Sequence, residues 1–191
     1  DIKKKLDFEY QEMAVSAYNI AMVYEDTGRT EEAMELYLET EKYLLQENGY
    51  LTFLSDVYIG IAHIYKYKQD FDQAEKYADK AMDVGLQTYS EYNPHMTFVY
   101  TSYANILISK NKYKEGIELL EKGLEIRRKT YGLNHKWTCE SYTSLAKAYE
   151  LDGQIELAEE NFKKSIEIGK HTHSNLYLAN ARAALGFMYC D

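Results

Sequence analysis

Five histidines and two cysteines carry most of the metal-ligating and nucleophilic capacity of this 191-residue chain. His171 and His173 are the only close pair of imidazoles. Without a third ligand of matching spacing they predict no metal site. His135 precedes Cys139 by four residues. A base and a thiol in that order are not a nucleophilic pair unless a third group orients them, and none is evident. His135 reads more simply as a loop or helix-start hydrogen-bonding residue. No G-x-S-x-G elbow, glycine-rich phosphate loop or H-E-x-x-H pattern occurs. The acidic pairs Glu31-Glu32 and Glu159-Glu160 fall on outer faces, where water solvates them. The residues that could do chemistry thus predict no catalytic centre, no metal and no cofactor, and the chain reads as a non-enzyme.

What could position side chains for another purpose is visible in a repeat. Five segments align on a small residue: IAMVY (20–24), IAHIY (61–65), YANIL (103–107), LAKAY (145–149) and LGFMY (185–189). Ala21, Ala62, Ala104, Ala146 and Gly186 follow one another at about 40–42 residues, and helical patterning at such a period means a solenoid of two-helix units. The fourth unit is the clearest. Residues 139–150 read as one helix, Asp152-Gly153 interrupts it, and residues 155–168 read as a second. Tyr142, Leu145, Ala146 and Tyr149 form one helical stripe, continued by Ala158, Phe162 and Ser165. Ala146 and Ala158 would let the helices approach closely while the aromatic rings fill the space around them. Unit one repeats the rule with Tyr24, Gly28, Ala33 and Tyr37, and unit two with Tyr58, Tyr65, Ala74 and Ala81. In unit three, Gly116 and Gly123 stand where other units carry alanine. Each should cost ~1 kcal/mol relative to alanine, marking either a weak helix or unusually close packing.

The single proline leaves long helices unbroken, and many of the twenty tyrosines recur at fixed repeat positions as packing residues. The net charge of −9 argues against nucleic acid, which needs a clustered basic surface. No apolar run reaches the ~20 residues that span a bilayer. Cys139 and Cys190 occupy different repeat positions, too far apart to bridge, which favours a reducing, cytoplasmic setting. The sequence opens on Asp1 rather than Met and stops at Asp191 within a helical pattern, so it is read as a fragment of a longer chain.

The pattern resembles the tetratricopeptide repeat (TPR), with a longer period similar to the kinesin-light-chain type. The junction GLEIRRKTYGLNHKWTCESYTSLAKAY (123–149) carries the likeness, including Tyr131-Gly132 and His135, and TYSEYNPH (88–95) is a looser copy. The resemblance implies an all-α, right-handed superhelical solenoid of antiparallel helix pairs, about nine helices in all. It implies one array over 1–191, with units near 9–50, 51–92, 93–134 and 135–174 and a partial unit over 175–191.

In that family the first helices line a concave groove. Four positions per unit carry over, the second, fifth, ninth and twelfth. They give a mixed set that includes Val15, Glu25, Asp56, Glu140 and Glu150, and within it the candidate peptide-binding residues are Tyr18, Met22, Ile59, His63, Lys66, Phe98, Thr101, Asn105, Thr143, Lys147 and Phe187. Such a set suits an extended or helical peptide better than a polymer of one charge sign. The Asn105 amide can both donate to and accept from a peptide backbone, although a merely solvated residue is the equal alternative. Lys66 and Lys147 could meet acidic ligand groups or pair with neighbours such as Glu150. Tyr18, Ile59, Phe98 and Phe187 serve as apolar anchors unless a slight helix rotation makes them core. The paired Lys and Asn of the carboxylate-clamp type are absent, with Tyr18 and Met22 in those places.

The function expected is therefore a protein- or peptide-binding scaffold without catalysis. The alternative is a ligand-switched, peptide-sensing domain of a larger signalling or transcriptional regulator. Self-association is expected through an open C-terminal end formed by Leu185, Tyr189 and Phe162, such that Leu185→Glu would abolish a dimer.

Overall fold

The computed structural model describes residues 2–46, 51–172 and 175–188, with side chains over 12–45, 51, 53–172 and 179–186. Among the described residues there are nine α-helices and no strand. They run α1 (Ile2–Asp26), α2 (Thr30–Gln46), α3 (Leu51–Tyr67), α4 (Phe71–Thr88), α5 (Met96–Ser109), α6 (Tyr113–Tyr131), α7 (Lys136–Leu151), α8 (Ile155–Thr172) and α9 (Asn175–Met188). Each odd-numbered helix from α1 to α7 pairs with the helix that follows it, and three-residue connections make the pairs antiparallel. The chain divides into two compact units, 1–91 with α1 to α4 and 92–191 with α5 to α9.

One turn recurs in all four pairs. Arg29 N–H donates to Tyr24 O at 2.8 Å, Asp70 N–H to Tyr65 O at 2.9 Å, Lys112 N–H to Leu107 O at 2.9 Å and Gln154 N–H to Tyr149 O at 2.9 Å. These bonds satisfy carbonyls left over at the helix end, as in a Schellman motif, and require a left-handed residue just before the donor. Gly28 and Gly153 occupy it at φ 79° and 77°, but Gln69 and Asn111 occupy it too, at 62° and 61°. The breakers visible in the sequence mark two of the four turns. The other two form because the helices on either side hold them, against a cost of ~1–2 kcal/mol for a non-glycine residue.

The small residues meet as the spacing predicts. Ala21, Ala62, Ala104 and Ala146 are fully buried, and so are Ala33, Ala74 and Ala158 on the second helices. Gly186 departs from the rule. It is exposed, and α9 instead buries Ala181 and Leu185. The two glycines of α6 divide between the alternatives. A Cβ on Gly116 would lie 2.8 Å from Ile108 Cγ1 and 3.1 Å from the Ala104 carbonyl oxygen, so α5 approaches α6 too closely for any side chain. A Cβ on Gly123 would meet nothing nearer than Thr101 Oγ1 at 3.9 Å. Gly123→Ala is therefore expected to stabilise by ~1 kcal/mol and Gly116→Ala to destabilise by about 1–3 kcal/mol. Denaturant midpoints of opposite sign would check this pair.

Between α7 and α8 a small polar network is sealed inside the core. Thr143 Oγ1 lies 2.6 Å from Ser165 Oγ and donates to Cys139 O at 3.1 Å, while Cys139 Sγ donates to Ser165 O at 3.2 Å. Burial pushes the Cys139 thiol up, partly offset by its Ser165 bond. His135 is elsewhere engaged, its Nδ1 accepting the Trp137 N–H at 3.2 Å as the cap of α7. His135 and Cys139 thus engage different partners. Cys190 and His173 lie outside the described side chains.

The C-terminal end corrects one expectation. Phe162 is fully buried and Leu185 nearly so, in the core shared by α7, α8 and α9. They fill space between helices and present no open apolar face. Tyr189 lies outside the described residues. Leu185→Glu would place a carboxylate in this core.

Candidate binding face of the first helices

The candidate face is decided by how far each position lies round its helix from the buried small residue. At about 100° per residue, the ninth and second positions of each unit stand about 100° and 120° away from it, and the fifth and twelfth only about 60° and 40°. The helices on either side cover the smaller angles. In α3 the only incompletely buried residues from Leu54 to Ile64 are Asp56 and His63, the second and ninth positions.

Three predicted site residues consequently leave the surface. Tyr18 is buried, its ring 5.8 Å from that of Tyr37 and 5.0 Å from that of Phe53. Burial, with Asp56 and Glu25 nearby, pushes its hydroxyl far above the ordinary tyrosine range. Ile59 is fully buried. Thr143 is held in the Cys139–Ser165 network. All three are fifth-position residues, turned inward by the rotation that the sequence left open. Thr101, the fourth of that set, is half-buried against Gly123. Phe187 lies outside the described side chains.

In the compact unit 1–91, Met22 is exposed, and His63 and Lys66 are half-buried. His63 Nδ1 lies 3.3 Å from Glu25 Oε1, and Glu25 Oε2 accepts the Tyr37 hydroxyl at 3.0 Å. Glu25 thus ties α1, α2 and α3 together. That fixes the His63 ring, a structural role that a groove position alone did not reveal. No described carboxylate lies within ion-pairing distance of Lys66, and burial lowers its ammonium pKa.

In the compact unit 92–191, Phe98, Asn105 and Lys147 are exposed. No hydrogen bond from the Asn105 side chain and no ion pair from Lys147 is made to a described residue, and the Lys147–Glu150 pair weighed above does not form. Other basic residues of this unit behave differently. Lys129 lies 2.6 Å from Glu125, Lys164 lies 2.6 Å from Glu160, and Arg127 reaches Glu140 at 3.3 Å, Ser141 Oγ at 3.0 Å and Trp137 O at 3.0 Å. Arg127 pins the start of α7 to α6, so Glu140 serves the fold. Among the described residues no cluster of three or more His, Cys, Asp or Glu is placed to hold a metal. No described helix is long and apolar enough to cross a membrane.

Two family models, both described as tetratricopeptide repeat, match this sequence, one over residues 95–171 and the other over 14–39 and 55–84. This chain belongs to the tetratricopeptide-repeat family. Solved structures agree on the fold of this TPR chain. BtubC (BKLC) from P. vanneervenii superposes with a TM-score of 0.79 at 15% identity, covering 97% of this chain and 80% of that one. A Podosopora anserina putative kinesin light chain with nearly identical TPR-like repeats gives 0.74 at 22% identity, covering 90% and 86%. The apo form of RapI gives 0.79 at 16% identity, covering 94% of this chain and 49% of that one. Comparison with curated proteins finds no match. At these identities the likeness is one of fold.

Proposed function

We propose that this TPR chain is a non-catalytic protein- or peptide-binding scaffold, and that the exposed second and ninth positions of its first helices make the contact. The observation that carries this reading is in the compact unit 92–191. The Asn105 amide and the Lys147 ammonium project into solvent without partners among the described residues, and the same helices expose Phe98. An amide, a cation and an aromatic ring are the groups that engage a peptide backbone, an acidic side chain and an apolar side chain. In the compact unit 1–91, Met22 and the half-desolvated Lys66 offer a smaller version of the same combination. Among the described residues, the buried Cys139, Thr143 and Ser165 of α7 and α8 are hydrogen-bonded to one another rather than turned toward this face.

The test compares affinity capture from the source lysate by the wild type and by Asn105→Ala/Lys147→Glu. Both residues are exposed, so helicity by circular dichroism should be unchanged. A bound protein or peptide whose recovery falls at least tenfold with the variant supports the reading. Equal capture by both proteins, or capture of nothing by either, removes this face from the function.

A further inference from the structure

The junction between α6 and α7 gathers aromatic and cationic side chains that its turn does not need. Tyr131, Leu133 and Trp137 are 37%, 53% and 39% exposed. The aromatic rings are nonetheless held in place. That of Tyr131 stacks on His135 at 4.9 Å and meets the edge of Trp137 at 4.7 Å. Lys136 Nζ lies 5.5 Å from the centre of the Trp137 ring. Arg128 stands one turn before Tyr131 on the same face of α6 and shares a shallow depression with Leu133. Neither Arg128 nor Lys136 forms an ion pair with a described residue. The carboxylates at helical spacing from them are already engaged, Glu125 with Lys129 at 2.6 Å and Glu140 with Arg127 at 3.3 Å. Lys136 also sits in the first turn of α7, where the helix dipole disfavours a cation.

The repeat supplies an internal comparison. In the register that aligns Ala104 with Ala146, the segment before α5 carries Leu86, Glu91, Pro94 and His95 in place of Arg128, Leu133, Lys136 and Trp137. Both junctions close with the same kind of bond. Asn93 Oδ1 accepts the His95 N–H at 3.0 Å, as His135 Nδ1 accepts the Trp137 N–H. The turn thus forms without these four side chains, and folding does not account for their meeting at one junction.

We propose that the α6–α7 junction binds an acidic segment of a partner protein in which carboxylates flank an aliphatic or aromatic side chain. Arg128 and Lys136 take the carboxylates, and Trp137 with Leu133 covers the apolar group. Rings already packed on one another lose little freedom when the segment docks. Two unpaired cations suit a short acidic segment, whereas an anionic membrane calls for a cluster of about 4–8. The site lies on a connection and uses none of the second and ninth positions of the first helices, so it stands or fails apart from the binding face described above.

The experiment selects displayed random dodecapeptides on the whole 191-residue chain, with Arg128→Ala/Lys136→Ala as counter-selection. Sequences that place Asp or Glu on both sides of an aromatic or aliphatic residue are expected to be enriched. A synthetic peptide of the leading sequence should produce a saturable change in the emission of Trp137, the sole tryptophan. Its affinity should fall at least tenfold with Arg128→Ala and with Lys136→Ala, and should survive Arg128→Lys and Lys136→Arg. It should be unchanged by Asn105→Ala/Lys147→Glu. Both cations are exposed, so circular dichroism should show every variant folded. Enrichment of neutral or basic sequences, enrichment of none, or equal binding by the single alanine variants overturns the proposal. So does binding to phosphatidylserine vesicles that Arg128→Ala/Lys136→Ala weakens when no peptide is enriched, because the occupant is then a membrane.

Discussion

Gly60→Ala is expected to lower stability by about 2–3 kcal/mol, although alanine is the better helix former by ~1 kcal/mol. Gly60 sits in the middle of α3, and the Tyr37 ring lies flat against it. An added Cβ would stand 2.4 Å from Tyr37 Cζ and 2.7 and 2.8 Å from its two Cε atoms. The ring has nowhere to retreat. It is almost completely buried, is packed on Tyr18, and donates its hydroxyl to Glu25, which also holds His63. Displacing it would disturb three helices for the sake of one methyl group. Urea unfolding followed by circular dichroism should show the lowered midpoint. Tyr37→Leu in the Gly60→Ala background should cost less than the sum of the two single changes, since a smaller side chain relieves the clash. An unchanged midpoint for Gly60→Ala would mean that the ring is not packed on the glycine.

Phe162→Ala is expected to cost about 3–5 kcal/mol, the range for removing a fully buried aromatic ring that its neighbours cannot replace. Phe162 projects from α8 into the core that holds Tyr142, Leu145, Ala146 and Tyr149 of α7 and Ala181 and Leu185 of α9. Alanine there leaves a cavity touching all three helices. Trp137 is the sole tryptophan and lies in the same unit, so its fluorescence can follow the loss. The midpoint should fall with the m-value unchanged, as expected when stability changes without a change in surface exposed on unfolding. Leu185→Glu should act in the same direction, because it strands a carboxylate in the same core. A Leu185→Glu chain as stable as the wild type would return Leu185 to the surface.

The fold was legible because its signal is local and repeated. A small residue, a larger one three residues later and a second small residue beyond the turn recur in the four two-helix units, and the four pairs of helices formed where that pattern predicted them. The candidate face was legible only in part. Met22, Phe98, Asn105 and Lys147 are exposed as expected, whereas Tyr18, Ile59 and Thr143 are not. Helical spacing groups all four positions of a unit on one side, but it does not say where along that side the neighbouring helices stop covering it. A difference of about 40–60° in rotation moved three residues from candidate contacts into the core.

The same limit applies to the ends of the array and to the glycines. The sequence pattern makes Met13, Ile20 and Val23 resemble the core residues of later helices, and nothing in it distinguishes a covered stripe from an open one. Gly116 and Gly123 are indistinguishable in spacing, yet one meets Ile108 at contact distance and the other has room for a methyl group. Helix formation, turn position and repeat register follow from near neighbours along the chain, where propensity and periodicity act. Burial, close approach and the choice of which side chains face water arise between residues about 20–40 apart in sequence, where distance is fixed by packing rather than by spacing.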